Sequence, residues 1–183
     1  MATLITPDAR FRNSWLAAAE EFDGDWMDGS GVYGDTTLKR ISTEIAGDFS
    51  GFVDRLVKDR LPETPRPDGF VPCTYLWLVD GGEFLGSLAI RHSLNDFLFE
   101  QGGHIGYSVR PSARQQGHAT HALQAALPIA RELGISRVLV TCAEDNAGSR
   151  AVIEKNGGVY EDSRKGARRY WIEPEPAGRP VAG

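Results

Sequence analysis

Apolar residues along the chain follow first a helical and then a strand-like period. Phe11, Trp15, Ala18, Ala19 and Phe22 recur at helical spacing within residues 8–22, behind Pro7 and Asp8. Residues 47–60 repeat the pattern with Phe49, Phe52, Val53, Leu56 and Val57. Between these two predicted helices lies "DGDWMDGSGVYGDTT", rich in Gly and Asp and without a period, which predicts a surface loop. The prolines of "LPETPRPDGFVP" then break the helical run. From Thr74 the pattern is that of strands: "TYLWLVD" and "EFLGSLAIRH", separated by Gly81-Gly82, predict a hairpin. After the polar segment "SLNDFLFEQGG" comes a third strand, "HIGYSVR", at 104–110. A helix is predicted from about Gln116 to Leu133, ended by Gly134 and kinked at Pro128. "RVLVTCA" at 137–143 reads as a buried strand, and "NAGSRAVIEKNGG" as a short helix capped by Asn146 and stopped by Gly157. "GVYEDSRKGARRYWIE" predicts a last hairpin turning at Lys165-Gly166. This order suits an α/β (α+β) fold, a mixed sheet with helices on both faces.

With 183 residues, 41% of them hydrophobic, the chain can bury one substantial core. Residues 1–173 are expected to form a single domain, and 174–183 a flexible tail. The opening "MATLITPDARFRNSW" has neither a basic leader nor a long apolar run, and no segment approaches the roughly 20 apolar residues of a membrane span. A cytoplasmic protein without membrane partners is expected. Cys73 and Cys142 stand far apart, outside any metal or disulfide spacing, and are expected to be reduced core thiols. The net charge of −5 argues against a nucleic-acid partner, which would require a clustered basic field. Any anion must therefore be held locally; Arg110 and Arg114 are the nearby cations of the stretch that matters most below.

Two motifs fail on context. "GSGVYG", with Gly29, Gly31 and Gly34, matches a dinucleotide-binding glycine pattern but neither follows a strand nor opens a helix. His118 and His121 share a helix face, yet no third ligand stands at a telling spacing, so no metal is expected. Nucleophile-elbow and P-loop motifs are absent. What remains is "YSVRPSARQQGHATHALQAAL", where a strand passes into a helix through Arg114, Gly117 and the small residues Ala119 and Thr120. The first N–H groups of a helix have no partner within it, and small side chains leave them open to an anion.

"VRPSARQQGHA" resembles the cofactor-binding motif of the GNAT acetyltransferase superfamily: Arg or Gln, two residues, Gly, one residue, then Gly or Ala, after a strand ending in Val-x-Pro. The matching positions are Arg114, Gly117 and Ala119, following Val109 and Pro111. "NAGSRAVIEKNGG" resembles the family's second motif, an Asn-led helix ending in Glu-Lys-x-Gly, and the likeness covers roughly residues 74–173. "RHSLNDFL", "GGHIGYSVRPSAR" and "RYWI" are similar to an uncharacterised bacterial branch whose members are labelled predicted acetyltransferases. The resemblance implies acetyl-CoA as co-substrate, with its pyrophosphate on the turn formed by Arg114, Gln115, Gln116, Gly117, His118, Ala119 and Thr120. It also implies that the pantetheine arm lies between strands 104–110 and 137–143, which splay apart, and pairs with the backbone of Tyr107 and Val109. The N–H of Val109 would face the thioester oxygen.

Many relatives carry a Tyr just before the Glu-Lys pair, where this chain has Ile153. Relatives with an Asn-x-x-Ser helix suggest another solution, in which Asn146 holds the cofactor and Ser149 hydrogen-bonds the sulfur; a Ser in the first turn that merely bonds its own helix is the alternative. Should Ser149 not serve, water or Tyr107 remains as a proton source. For the base, His104 stands where relatives often place a Glu, with His92, Asp96 and Glu100 as second choices. The acceptor pocket is expected from the initial helices and their loop (Asp25, Trp26, Asp28), the "SLNDFLFEQ" segment with Asp96, and the hairpin around Tyr170 and Trp171, a lining suited to a cationic amine. Trp15 and Trp77 are expected in the core. The implied activity is direct acetyl transfer to an amine of a small molecule or peptide. A catalytically weak acetyl-CoA sensor and a protein-amine acetyltransferase are the competing readings, and a homodimer is compatible with each.

Overall fold

A computed structural model describes residues 1–23, 25–32 and 44–174. Gly34, the last glycine of the discarded nucleotide pattern, and residues 175–183 of the expected tail lie outside the described residues. Seven strands form one sheet: β1 (Thr3–Ile5), β2 (Cys73–Asp80), β3 (Glu83–Arg91), β4 (Ile105–Val109), β5 (Val138–Ala143), β6 (Val159–Arg164) and β7 (Ala167–Ile172). Their order is β1-β2-β3-β4-β5-β7-β6, antiparallel throughout except for β4 against β5. The helices are α1 (Arg12–Glu21), α2 (Phe49–Lys58), α3 (His118–Glu132) and α4 (Ala147–Lys155).

Sequence and structure differ in a few places. Residues 9–11 form a 3-10 turn before α1, so the first helix is shorter than its apolar period. β1 was not predicted: three residues are too few to show alternation, and the strand exists because Thr3–Ile5 pairs with Val79–Trp77 at the sheet edge. The polar segment after β3 contains a wide helical turn, Leu98–Gly102. α3 runs through Pro128 without interruption. At its end Gly134, with φ 86°, donates to Arg131, and Ile135 donates to Ala130, so two otherwise unpaired carbonyls are satisfied.

The two faces of the sheet carry separate apolar clusters. One packs α1 and α2 through Trp15, Phe49, Phe52 and Leu56 against Trp77 and Phe84. Trp15 and Trp77 are wholly buried there, with Trp77 edge-on to Phe84 at a centroid distance of 5.4 Å. The other packs α3 through Ala122, Leu123, Ala126 and Ala130, together with Ile153 of α4, against Leu88, Ile90 and Val140. Strand alternation assigns the faces: Ala89 lies under α1 and α2, whereas Tyr107 joins the α3 side. Anything between β4 and β5 is therefore reached from both sides.

Candidate active site

β4 and β5 pair at a single position, Ile105 with Val140, and then diverge. Arg91 N–H donates to His104 and Arg110 N–H to Leu85, which fixes the hydrogen-bonding parity between β3 and β4. By that parity the backbone groups of Tyr107 and Val109 point away from β3, toward the gap. The Val109 carbonyl accepts from Arg114 Nε at 3.1 Å, and its N–H faces the opening. A cavity of about 810 Å³ runs along this gap, lined by Tyr107, Cys142, Asn146 and Ser149 on one side and by Asp28 and Arg91 on the other.

At the far end of β4 the chain crosses a 3-10 turn, Pro111–Ala113, and reaches Gly117, which caps α3 at φ 82° without any side-chain hydrogen bond. His121 N–H bonds back to Gly117, which leaves the amides of His118, Ala119 and Thr120 without intrahelical partners. Gln115 also adopts a positive φ, 61°, and Gln116 lies exposed beside it. The turn is anchored from behind. Arg110 Nε donates to Glu21 at 3.0 Å, Glu21 also accepts the Ser112 N–H, and these bonds hold its carboxyl down at about 2. Arg110 is thus neutralised by α1 and is corrected from anion donor to anchor. The exposed Arg114 remains the cation of the turn, with its guanidinium over the Phe22 ring.

On the α3 side of the gap the Tyr107 hydroxyl lies 3.3 Å from Ser149 Oγ. Burial pushes the Tyr107 phenol up to about 12, so at neutral pH it is a donor. Asn146 Oδ1 accepts the Ser149 N–H at 2.9 Å, capping α4; its amide nitrogen is the part left to face a ligand. Ile153 is buried in the core. A phenol is nevertheless present in the cleft, from β4 instead of α4.

Across the sheet, residues 27–31 are clamped onto β3 and β4. The hydroxyls of Ser87 and Ser108 both donate to the Asp28 carbonyl, at 3.0 and 2.8 Å. Gly29, at φ 73°, comes so close that a β-carbon there would meet the Gly106 carbonyl at 2.6 Å. The Asp28 side chain takes the Trp26 indole N–H at 3.1 Å, and desolvation raises its carboxyl above the usual range although Arg91 opposes the rise. Arg91 lies across the bare face of Gly106 and donates to the carbonyls of Gly102 and Gly103. Sequence reasoning missed Arg91; its alternation with Ser87 and Ala89 was the available signal.

The structure does not bring His104 to the cavity. Its Nδ1 accepts the Leu139 N–H at 2.9 Å, its own amide donates to the Leu139 carbonyl, and burial lowers its imidazole to about 4. It stitches β4 to β5 just before they part. Glu100 is bound to Arg164 at 2.8 Å and His92 to Thr74 at 2.8 Å; neither lines the cavity, nor does Asp96 or Asp25. Tyr170 is fully buried, and the final hairpin reaches the cavity through its turn, Lys165–Ala167, instead of through Tyr170 and Trp171. That hairpin is fixed by the buried Arg169, which pairs with Asp162 at 2.6 Å and Glu161 at 2.8 Å and donates to the Phe99 carbonyl. His121 Nε2 donates to the Ala2 carbonyl at 3.0 Å. Cys73 and Cys142 are free and buried. No helix among the described residues is long and apolar enough to cross a membrane.

A sheet opened between two parallel neighbours, with a bare helix start beyond one end of the gap, is the layout of an acyltransferase. Residues 52–159 match the family model for the acetyltransferase (GNAT) domain, and the chain belongs to that family. No curated protein matches it significantly. Among solved structures it is similar to RimJ of Mycobacterium smegmatis in complex with CoA-disulfide (20% identity, 94% of this chain and 81% of that one, TM-score 0.66). It is also similar to a Salmonella typhimurium acetyltransferase that modifies the N-terminal serine of the 50S ribosomal subunit protein L7/L12 (18% identity, 95% of both chains, TM-score 0.59). A third is the microcin C7 self-immunity acetyltransferase MccE in complex with acetyl-CoA and AMP (14% identity, 94% and 92%, TM-score 0.61). At such identities the likeness is one of fold.

Proposed function

We propose that the protein is an acetyl-CoA-dependent N-acetyltransferase that moves the acetyl group directly to an amine in a ternary complex. The observation that carries this reading is the β4–β5 gap, which opens after one paired position onto a cavity with polar groups on both faces. Acetyl-CoA would lay its pyrophosphate on the amides of residues 116–120, with Arg114 alongside, and thread its pantetheine arm past Val109 and Tyr107. A phosphate at such a helix start is favoured by unpaired N–H groups and the helix dipole. The Val109 N–H would then donate to the thioester oxygen and stabilise the oxyanion that forms on attack.

Loss of the leaving thiolate falls to the Tyr107–Ser149 pair. A thiol titrates near 8.5, well below a phenol at about 12, so full proton transfer to a free thiolate is uphill. The pair therefore acts chiefly by hydrogen-bonding the sulfur as its charge develops, Ser149 nearest it and Tyr107 behind. Its presence favours catalysis over the sensor reading, whose support was the missing Tyr.

Calorimetric titration with acetyl-CoA, followed by thiol release with and without amine, tests the proposal. Binding with amine-dependent release is expected. Absence of binding at millimolar cofactor would end it, and binding without release on any amine would return the sensor reading.

A further inference from the structure

Trp26 and Phe97 are 57 and 63% exposed, and both line the cavity. Large aromatics left in water around a concavity mark a surface shaped for an apolar ligand group. Asp28 lines the same cavity, held by hydrogen bonds from Ser87 and Ser108 to its backbone carbonyl and from Trp26 to its side chain. Asp28 lies on the α1–α2 face of the sheet, and the Tyr107–Ser149 pair lies on the other. A thioester carbonyl in the gap would thus have a carboxylate on one side and the hydroxyl pair on the other. Direct transfer would add the amine to one face of the thioester carbon, from the Asp28 side, while the sulfur that leaves the tetrahedral intermediate stays within reach of the hydroxyl pair.

We propose that the acceptor is a primary amine on an apolar body, packed against Trp26 and Phe97, whose ammonium is held by Asp28 and loses its proton to that carboxylate. This rests on the N-acetyltransferase reading and adds to it the base and the substrate class. Asp28 takes one proton from the ammonium and passes it to solvent. The freed lone pair forms the C–N bond, and the thioester C=O becomes an oxyanion. Its collapse breaks the C–S bond; the sulfur leaves as a thiolate hydrogen-bonded by the Tyr107–Ser149 pair and takes a proton from solvent, and nitrogen releases its second proton to solvent. The other charged groups at the cavity do not displace Asp28 from this role. Arg91 is engaged by the Gly102 and Gly103 carbonyls, and Lys165 stands on the turn of the final hairpin. The raised carboxyl of Asp28 makes it a better base than an aspartate at its ordinary value.

The test uses acetyl-CoA with 2-phenylethylamine, ethylamine, spermidine and a peptide beginning in serine. Asp28→Asn, which keeps an acceptor for the Trp26 indole, is expected to lower kcat/KM for 2-phenylethylamine by about 100-fold at neutral pH. The deficit should narrow as the pH approaches the amine's own pKa, while acetyl-CoA affinity stays at the wild-type value. Phe97→Ala is expected to raise KM for 2-phenylethylamine several-fold and to leave that for ethylamine unmoved. Wild-type turnover by Asp28→Asn would overturn the base. Preference of the wild-type enzyme for spermidine or the peptide, or acetyl-CoA binding with turnover of none of the four amines, would overturn the substrate class. A wild-type protein that does not bind acetyl-CoA would instead remove the underlying reading.

Discussion

Ser149 and Tyr107 meet across the cleft from an α-helix and a β-strand, and their contact makes a joint prediction. Ser149→Ala and Tyr107→Phe should each lower turnover by up to about 100-fold, the low end for groups assisting proton movement, with little change in acetyl-CoA affinity. If they act as one unit, the double variant will be scarcely worse than either single one, because removing one breaks the path the other uses. Strict additivity in single-turnover rates would separate them. Gly117 makes a different prediction. Its φ of 82° is costly for a branched residue, and the space beside it is open on the protein side. Gly117→Val should therefore weaken acetyl-CoA binding through the distorted turn and the occupied phosphate space, and unchanged affinity in calorimetry would move the phosphate site elsewhere. For His104 the prediction concerns stability. Its imidazole falls from 6.5 free to about 4 folded, so the unfolded chain binds the proton more readily. Its contribution is complete above 6.5 and is lost as the pH falls through that window toward 4. Denaturant midpoints should decline between those values, and His104→Asn should flatten the decline.

Among the elements, the 27–31 loop and α3 frame the proposed site. Gly29→Ala must push a methyl group into the Gly106 carbonyl while holding a positive φ, which should cost about 2 kcal/mol and lift the loop from β4. Amine turnover should then fall further than acetyl-CoA affinity, as a KM and kcat comparison would show. Leu123 of α3 is fully buried against the sheet. Leu123→Ala should lose about 3 kcal/mol, read from denaturant unfolding, because the site cannot collapse around the deleted methyl groups.

Across the whole molecule, α1 and the turn before α3 are coupled through Glu21 and Arg110. The Glu21 carboxyl stands at about 2 instead of 4.5, so its contribution is intact above 4.5 and disappears as the pH falls toward 2. Acid should therefore loosen the turn from behind: acetyl-CoA affinity in Glu21→Gln should resemble that of wild type at low pH.

The sequence by itself determined the order of elements, the strand-to-helix turn, the bare start of α3 and the helix cap at Asn146. Each depends on residues close together in the chain: the two backbone periods, the glycines, and side chains that bond their own backbone. The edge strand β1 escaped because it exists only through its partner. The surroundings of several candidate side chains escaped for the same reason at longer range. His104 stood in a plausible place by sequence, yet its ring is taken by the Leu139 amide on β5. Arg110 seemed free until α1 brought Glu21 to it, and Tyr107 was expected to offer only its backbone, with its hydroxyl as a fallback. Asp28 was one acid among several in a Gly-rich loop until Ser87 and Ser108 tied its backbone carbonyl to β3 and β4. Tertiary structure decided these roles because a side chain's protonation, reach and freedom depend on neighbours that the fold brings in from distant positions.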